Sequence, residues 1–559
     1  MALPESKSDY SGSKCKRFTI LPNNRVGKGY RMYKSHIVLA TPAPITNATS
    51  EENLGLGYIA AYCQAHGVEV TIIDGWMENL TEEKLVARII DCGELLLVGF
   101  SCYHLNMDIV CRIVELLHKK GFSAPLIAGG FGPTFSPEEF LNSGFDVVSL
   151  CEGEETIYKL CQYYNNEITL EEISGICYMK KDGSMQTNQP KHIADIDMLP
   201  FPSRDTMHYA LKGKTPVDIL SSRGCTGNCT FCSVIAFWKK SEGKRYRSRN
   251  IISIVDEMER LVEQGAVFLK FVDDSFVDGK RDTQWCREFA QEIKKRGLDI
   301  RYRVMMRANA VNAEILEALC QSGLVSIQLG IENFAPSALR RMGKSADLDQ
   351  NLTAMETVAA FRKRYNLYLQ IGFILFDYGT TFDEVEVNFM YLKKYSWAVT
   401  RGFTEMYAAA DTMYTQNLVA MNAAIPASYG NYNYTIRDEK VRKVYDALKV
   451  WHINYLYLYD KTIDPMTKPK ALTEEGFHQF HVFYMCIKEV ELAYFENVLN
   501  LVKASADEQE LQTYTATAIE ESKDWIEKMN AALDKIYLSQ NIWYSAATNP
   551  FLTDSKGVK

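Results

Sequence analysis

No stretch of this chain reaches the ~18 consecutive apolar residues that a membrane helix needs, and residues 1–35, polar with scattered Lys, Arg and Gly, lack the apolar core of a signal peptide. Neither a membrane span nor a secretory route is expected, and the cytoplasm is the expected compartment. Basic blocks are equally scarce. The longest are triplets such as Lys294–Arg296 and Arg362–Arg364, and the formal net charge is −8, so the electrostatic footprint of a nucleic-acid binder is missing. A disulfide framework is missing too: outside one cluster the 14 cysteines fall singly in apparent helices and strands, as buried free thiols of a reducing compartment do. Disorder is excluded by 47% hydrophobic residues against 24% charged, and the length suits three or four domains.

What is present is one cysteine cluster. Cys225, Cys229 and Cys232 follow the apolar run 217–220 in a C-x3-C-x2-C spacing, which sets three thiols on a loop at the C-terminal end of a short strand. Three thiolates with no fourth within fifty residues leave one iron of a 4Fe–4S cube open to another ligand. A zinc site needs a second ligand pair, and the nearest later Cys or His is Cys286, inside an apparent helix. With Phe231 in the aromatic slot before the third cysteine, the spacing resembles the radical S-adenosylmethionine (SAM) superfamily. The resemblance implies that SAM's amino and carboxylate groups chelate the open iron. It also implies that an electron, delivered by an external donor such as flavodoxin or ferredoxin, cleaves SAM to a 5′-deoxyadenosyl radical.

Residues 36–164 read as five strand–helix repeats, with apolar runs at 36–40, 68–73, 95–99, 125–128 and 146–150. Apolar strands alternating with helices predict a doubly wound parallel sheet whose ligands bind at the strands' carboxyl ends. Those ends carry Thr41–Pro44, Asp74–Trp76, Ser101–Tyr103, Gly129–Thr134 and Cys151–Thr156. Small residues there serve equally to admit a ligand or to close a turn. Together, Leu54–Gly57, Gly129-Gly130 with Pro133-Thr134, and Glu152–Thr156 resemble the cobalamin-binding domain that precedes the barrel in one subclass of radical SAM enzymes. The cobalamin contacts this implies are Trp76, Ser101, Tyr103, Gly129, Gly130, Thr134, Glu152 and Gly153. The D-x-H-x-x-G motif that gives cobalt a histidine in other cobalamin domains is nowhere in the chain, which implies cobalt without one. Trp76 and Tyr103 are both candidates for the place beneath the corrin, and each reads equally as packing against a loop.

Residues 165–215 read as a connector with a hairpin at Asp182-Gly183 and a Pro-rich entry at 199–204. From 216, strands expected at 217–221, 267–272, 300–305, 325–329, 367–373 and 404–408 alternate with helices, which predicts a partial (βα)6 barrel of TIM type with its active site at the strands' C-terminal ends. Asp273 and Asp274 end the second of these strands, Arg307 the third and Glu332 the fourth. The superfamily resemblance implies that these positions hold SAM's amino group, carboxylate and ribose. Past 410 the helical periodicity of 438–458, 473–503, 507–516 and 519–537 predicts a mainly helical domain, whose aromatic stripes read as core.

The expected division is an extension at 1–35, a cobalamin-binding, Rossmann-like domain at 36–190, a linker at 191–215, a radical SAM barrel at 216–408 and a helical domain at 409–559. The implied activity is a C-methyltransferase acting on an unactivated carbon of a small-molecule or natural-product substrate, with the 5′-deoxyadenosyl radical and methylcobalamin as agents. Cyclisation or oxidative rearrangement by the same cofactors needs the same sites. A tRNA methylthiotransferase-like enzyme would draw a second cluster from among Cys63, Cys92, Cys102, Cys111 and Cys151.

Overall fold

The computed structural model describes residues 35–43, 51–103, 106–213, 215–400, 402–467 and 473–542; apart from Ser35, the expected N-terminal extension lies outside them. The first sheet is built from β1 (His36–Thr41), β2 (Glu69–Asp74), β3 (Leu97–Ser101), β4 (Leu126–Gly129) and β5 (Val147–Ser149), all parallel, followed by an antiparallel hairpin of β6 (Ile176–Met179) and β7 (Met185–Asn188). Its order is β2-β1-β3-β4-β5-β6-β7. The chain therefore reverses direction across the sheet between β1 and β3, where doubly wound folds open a crevice.

Strands with apolar residues at every position are buried on both faces. The helices α1 (Leu54–Ala65), α2 (Glu82–Asp91), α3 (Met107–Lys119), α4 (Phe131–Phe135), α5 (Pro137–Asn142) and α6 (Glu154–Tyr164) supply the cover. Ile37, Leu39 and Ile127 pack with α1 and α6 on one face, while Val38, Val98 and Ala128 pack with α2 and α3 on the other. The hairpin expected within the connector is thus part of this sheet; Gly183 turns it at φ +81°.

After α7 (Met207–Gly213) the barrel begins with β8 (Val217–Ile219). A short antiparallel ribbon, β9 (Ser222–Arg223) with β10 (Arg247–Ser248), brackets α8 (Ser233–Lys239). Then α9 (Ile251–Glu263), β11 (Phe268–Phe271), α10 (Thr283–Lys295), β12 (Arg301–Arg307), α11 (Ala313–Gln321), β13 (Leu324–Glu332), α12 (Pro336–Arg341), α13 (Leu348–Tyr365), β14 (Tyr368–Phe373) and α14 (Phe382–Lys394) alternate. Side-chain caps start the main helices: Asn250, Asp282, Asn312, Asp347 and Thr381 each accept a first-turn backbone N–H. Five strands form the parallel ladder, in the order β8-β11-β12-β13-β14. At the sixth position, expected as a strand at 404–408, isolated parallel bridges Gln370↔Val399 and Phe376↔Glu405 continue it. Side chains hold this segment apart from a regular ladder: Tyr484 Oη accepts the Thr400 N–H, and Thr404 Oγ1 donates to the Phe373 carbonyl.

Past the barrel, α15 (Met413–Ala420) and the β15–β16 hairpin (Ile425–Pro426, Tyr432–Asn433) lead to three long packed helices, α16 (Glu439–Thr467), α17 (Glu474–Lys503) and α18 (Glu508–Ser539). The two last expected helices are one: nothing at Thr517-Ala518 breaks α18. The bundle joins the barrel through a buried polar group in which Lys488 donates to Thr400 Oγ1 at 2.9 Å and pairs with Glu491, which also accepts from Tyr459.

Candidate active site

The three cysteines lie between the β9 ribbon and α8, at the C-terminal mouth of the barrel. Gly224, at φ +85°, makes the turn into the loop; a Cβ there would run into the Arg245 carbonyl, so only glycine fits. The Cys225 sulfur accepts the Gly227 N–H at 3.3 Å, and burial pushes the Cys225 thiol up to about 12 and that of Cys232 up to about 11. Such thiols lose their protons to a metal rather than before it arrives. Three thiols on one eight-residue loop are the donor set that a 4Fe–4S cluster takes, and the residues fit it.

Asp278, absent from the sequence expectations, braces this loop. It accepts the Thr226 N–H at 2.9 Å and the Thr226 hydroxyl, and pairs with Arg307 at 2.7 Å. Arg307 thereby reaches the cluster loop, with its buried Nε unpartnered. Glu332 holds a left-handed backbone, φ +64°, at a break in the β13–β14 register, a strained conformation of the kind kept at working sites. Its carboxylate lies over Gly330 and Gly372 and 3.6 Å from Lys344. Phe231 packs beside Met342, Met406 and Tyr414. The two aspartates separate. Asp274 accepts the Gly224 N–H and the Trp238 indole N–H, both at 2.9 Å and both on Oδ2. Asp273, expected to face SAM, is fully buried instead: it accepts from Ser221 N–H and Oγ, from Ser222 Oγ and from Arg281, and so holds the strand end in place.

A cavity of about 320 Å³ opens at the C-terminal edge of the first sheet. Gly99, Ser101, Gly129, Gly130, Ser149 and Gly153 form its floor, and Arg223, Phe237 and Trp238 come in from the barrel side. A Cβ on Gly129 would meet nothing of the protein closer than 3.6 Å, so the fold does not demand glycine there. Gly130 differs: at φ +104° its Cβ would strike the Cys102 carbonyl at 2.5 Å. Thr134, expected as a ligand contact, is buried and ties two loops together, donating to the Gly130 carbonyl at 2.7 Å and accepting the Cys151 N–H at 3.0 Å. Trp76 and Tyr103 lie side by side, ring centroids 6.1 Å apart, and the buried Tyr103 hydroxyl has no partner.

Residues 45–160 match the B12 binding domain family and residues 219–387 the Radical SAM superfamily. The chain belongs to the cobalamin-dependent radical SAM enzymes. An uncharacterised methyltransferase of Pyrococcus horikoshii is 29% identical over 353 residues, 62% of this chain and 74% of that protein. The anaerobic magnesium-protoporphyrin IX monomethyl ester cyclase of Synechocystis is 27% identical over 341 residues, 59% of this chain and 65% of its own length. The solved structure of the cobalamin-dependent SAM radical enzyme OxsB with aqua-cobalamin shares the fold at a TM-score of 0.74 and 17% identity, covering 93% of this chain and 84% of that one. The cofactors of this radical SAM enzyme are a 4Fe–4S cluster, SAM and cobalamin.

The two halves of this radical SAM enzyme are tied together at the cavity's edge. Arg223, two residues before the first cluster cysteine, donates to Glu152 and to Glu154, each at 2.5 Å; both glutamates stand at the cavity rim of the first domain. Glu152 also takes Arg247 at 2.7 Å and the Ile193 N–H at 2.8 Å. Glu52 and Glu257 clasp Arg204 in the same way, each at 2.7 Å. No sequence signal marked Arg223, Arg247, Glu154 or Asp278, because each acts through a partner 52 to 95 residues away.

Proposed function

We propose that this enzyme places a methyl group on an unactivated carbon of a small molecule. The observation that supports the reading is the shared cavity wall: Trp238 lines the cavity and at the same time donates to Asp274 at the barrel mouth, so one side chain links the cavity to the mouth. The methyltransferase name of the Pyrococcus relative supports methyl transfer in particular. When bound, the cluster, SAM and cobalamin supply a radical that takes hydrogen from carbon and a methyl group to replace it.

The residues divide the work of holding these groups. Cys225, Cys229 and Cys232 hold the cluster. Asp274, with Oδ1 free of the hydrogen bonds that engage Oδ2, together with Glu332 and Arg307 offers acceptors for SAM's amino group and ribose and a cation for its carboxylate. Gly129, Gly153 and Ser101 would leave room for cobalamin; Trp76 and Tyr103, beside each other but not among the residues lining the cavity, would meet it only at its edge. An external electron donor, flavodoxin or ferredoxin in kind, completes the scheme. Among the described residues no helix is long and apolar enough to cross a membrane.

The cyclase of Synechocystis keeps an oxidative or ring-forming reaction as the second reading. Of the cysteines that a methylthiotransferase-like enzyme would draw on, Cys63 lies with the core on one face of the sheet and Cys92, Cys102 and Cys111 with the core on the other. The deciding experiment supplies anaerobically reconstituted enzyme with methyl-labelled SAM, reductant and a metabolite extract. Equal yields of S-adenosylhomocysteine and 5′-deoxyadenosine with label in a new carbon-bound methyl are expected. Deoxyadenosine alone with unlabelled product would establish the second reading.

A further inference from the structure

The helix that starts at the third cysteine of the cluster loop ends in the wall of the cavity at the first sheet. α8 is capped by Cys232, and its last turn carries Phe237 and Trp238, which both line that cavity. Phe237 is buried and stacks on Phe131 of the first domain, ring centroids 4.3 Å apart, which holds the end of the helix against the sheet. His192 Nε2 donates to the Trp238 carbonyl at 3.0 Å, so the backbone there is fixed as well. What is left to move is the Trp238 side chain, which is only half-buried.

That side chain is engaged from both directions. Its indole N–H donates to Asp274 Oδ2 at 2.9 Å. The Arg247 guanidinium lies over its ring, 5.0 Å from the centroid, and Arg247 in turn donates to Glu152, on the cavity rim, at 2.7 Å. Glu152, Arg247, Trp238 and Asp274 thus form one row of contacts from the cavity to the barrel mouth. Asp274 Oδ2 also takes the Gly224 N–H at 2.9 Å, at the turn into the cluster loop. The terminal torsion of an aspartate is otherwise broad; two donors on one oxygen stop the carboxylate from turning and leave Oδ1 as the acceptor it presents.

We propose that Trp238 is a positioning residue for SAM and that it couples the two cofactor sites. It orients Asp274 for SAM's amino group, and its own side chain is settled by what packs against the ring in the cavity, so cobalamin tightens the binding of SAM. Trp238 acts on SAM through Asp274 and not by contact. The inference rests on the reading above, which gives Asp274 to SAM and the cavity to cobalamin, and adds to it one side chain that serves both. A ligand that orders a side chain lowers the entropy cost for the next ligand that needs it ordered. Linkage makes the effect mutual: SAM must tighten cobalamin by the same factor.

Equilibrium dialysis of the full enzyme, its cluster reconstituted anaerobically and no reductant present, reads both affinities without turnover. SAM is titrated with and without saturating hydroxocobalamin, and hydroxocobalamin with and without SAM. Wild-type enzyme is expected to bind SAM at least ~5-fold more tightly when hydroxocobalamin is present, the lower end of ordinary coupling. Trp238→Phe keeps an aromatic ring in the cavity wall and loses the N–H. It should weaken SAM by ~10-fold, the loss of one hydrogen bond to a charged group, and remove the coupling, yet bind hydroxocobalamin alone within about threefold of the wild type. Asp274→Asn tests the same link from the other end with the ring untouched, and should also weaken SAM and remove the coupling. Unchanged SAM affinity in Trp238→Phe, coupling that survives that substitution, or a wild-type enzyme without coupling overturns the inference. So does a Trp238→Phe protein that melts well below the wild type and loses both ligands in parallel, because the residue would then support the fold and position nothing. Asp274→Asn with wild-type affinity for SAM, or wild-type enzyme that takes up no hydroxocobalamin, would instead remove the reading beneath it.

Discussion

Glu152 and Arg223 meet at 2.5 Å across the seam between the first sheet and the barrel, so a rim residue of the cobalamin cavity grips the strand that leads into the cluster loop. Both side chains are buried, 4% and 8% exposed, which makes the pair costly to break from one side. Removing one partner of such a pair leaves a buried charge and costs ~3 kcal/mol or more. Glu152→Gln is expected to lower the denaturation midpoint accordingly. A change under ~0.5 kcal/mol would show that Glu154 alone holds Arg223.

The same carboxylate sets an acid limit. Burial by itself would raise it, but His192, Arg223 and Arg247 outweigh burial and hold it down at about 2, below its ordinary ~4.3. Its contribution is therefore complete above ~4.3 and is lost as pH falls through about 2. Denaturant midpoints taken between pH 5 and 2 should fall more steeply for the wild type than for Glu152→Gln. Parallel curves would remove Glu152 from the account.

Adjacent glycines have separable duties. Gly129→Val should melt within a few degrees of the wild type, because the fold leaves that Cβ unopposed, yet retain much less cobalamin after gel filtration. Gly130→Ala should lose stability by ~1–3 kcal/mol even without cobalamin, through backbone strain against Cys102. The reverse pattern would mean the ligand lies elsewhere.

Changing Cys225, Cys229 and Cys232 together to Ala is expected to reduce iron from about four per chain to none, with loss of the visible iron–sulfur absorbance and of SAM cleavage. Four irons in the triple variant would relocate the cluster.

With no D-x-H-x-x-G in the chain and no histidine among the residues lining the cavity, bound cob(II)alamin should show no superhyperfine splitting from a protein nitrogen. Paramagnetic resonance of the full enzyme reads this directly; a splitting that disappears on replacing one histidine would give cobalt a protein ligand.

The parts legible in the sequence are those encoded over short spans. The cluster spacing lies within eight residues, and the five strands of the first sheet announced themselves as apolar runs ending in small residues. Trp76 and Tyr103, marked separately, came together because parallel strands bring successive loop starts to one edge. Asp273 and Thr134 sit at the expected strand ends but turn inward, because a carboxylate or hydroxyl next to unsatisfied N–H groups serves the backbone first. Which of two adjacent aspartates faces the mouth depends on twist and on Arg281 below, neither of which a linear pattern expresses.

A cavity walled by two domains makes the cofactor a fastener. A cofactor bound in the cavity lined by Gly129 on one side and Phe237 and Trp238 on the other would touch both halves, so its binding energy and the closure of the seam would be one equilibrium seen from two ends. Each hundredfold excess over its dissociation constant adds ~2.7 kcal/mol to the joined form.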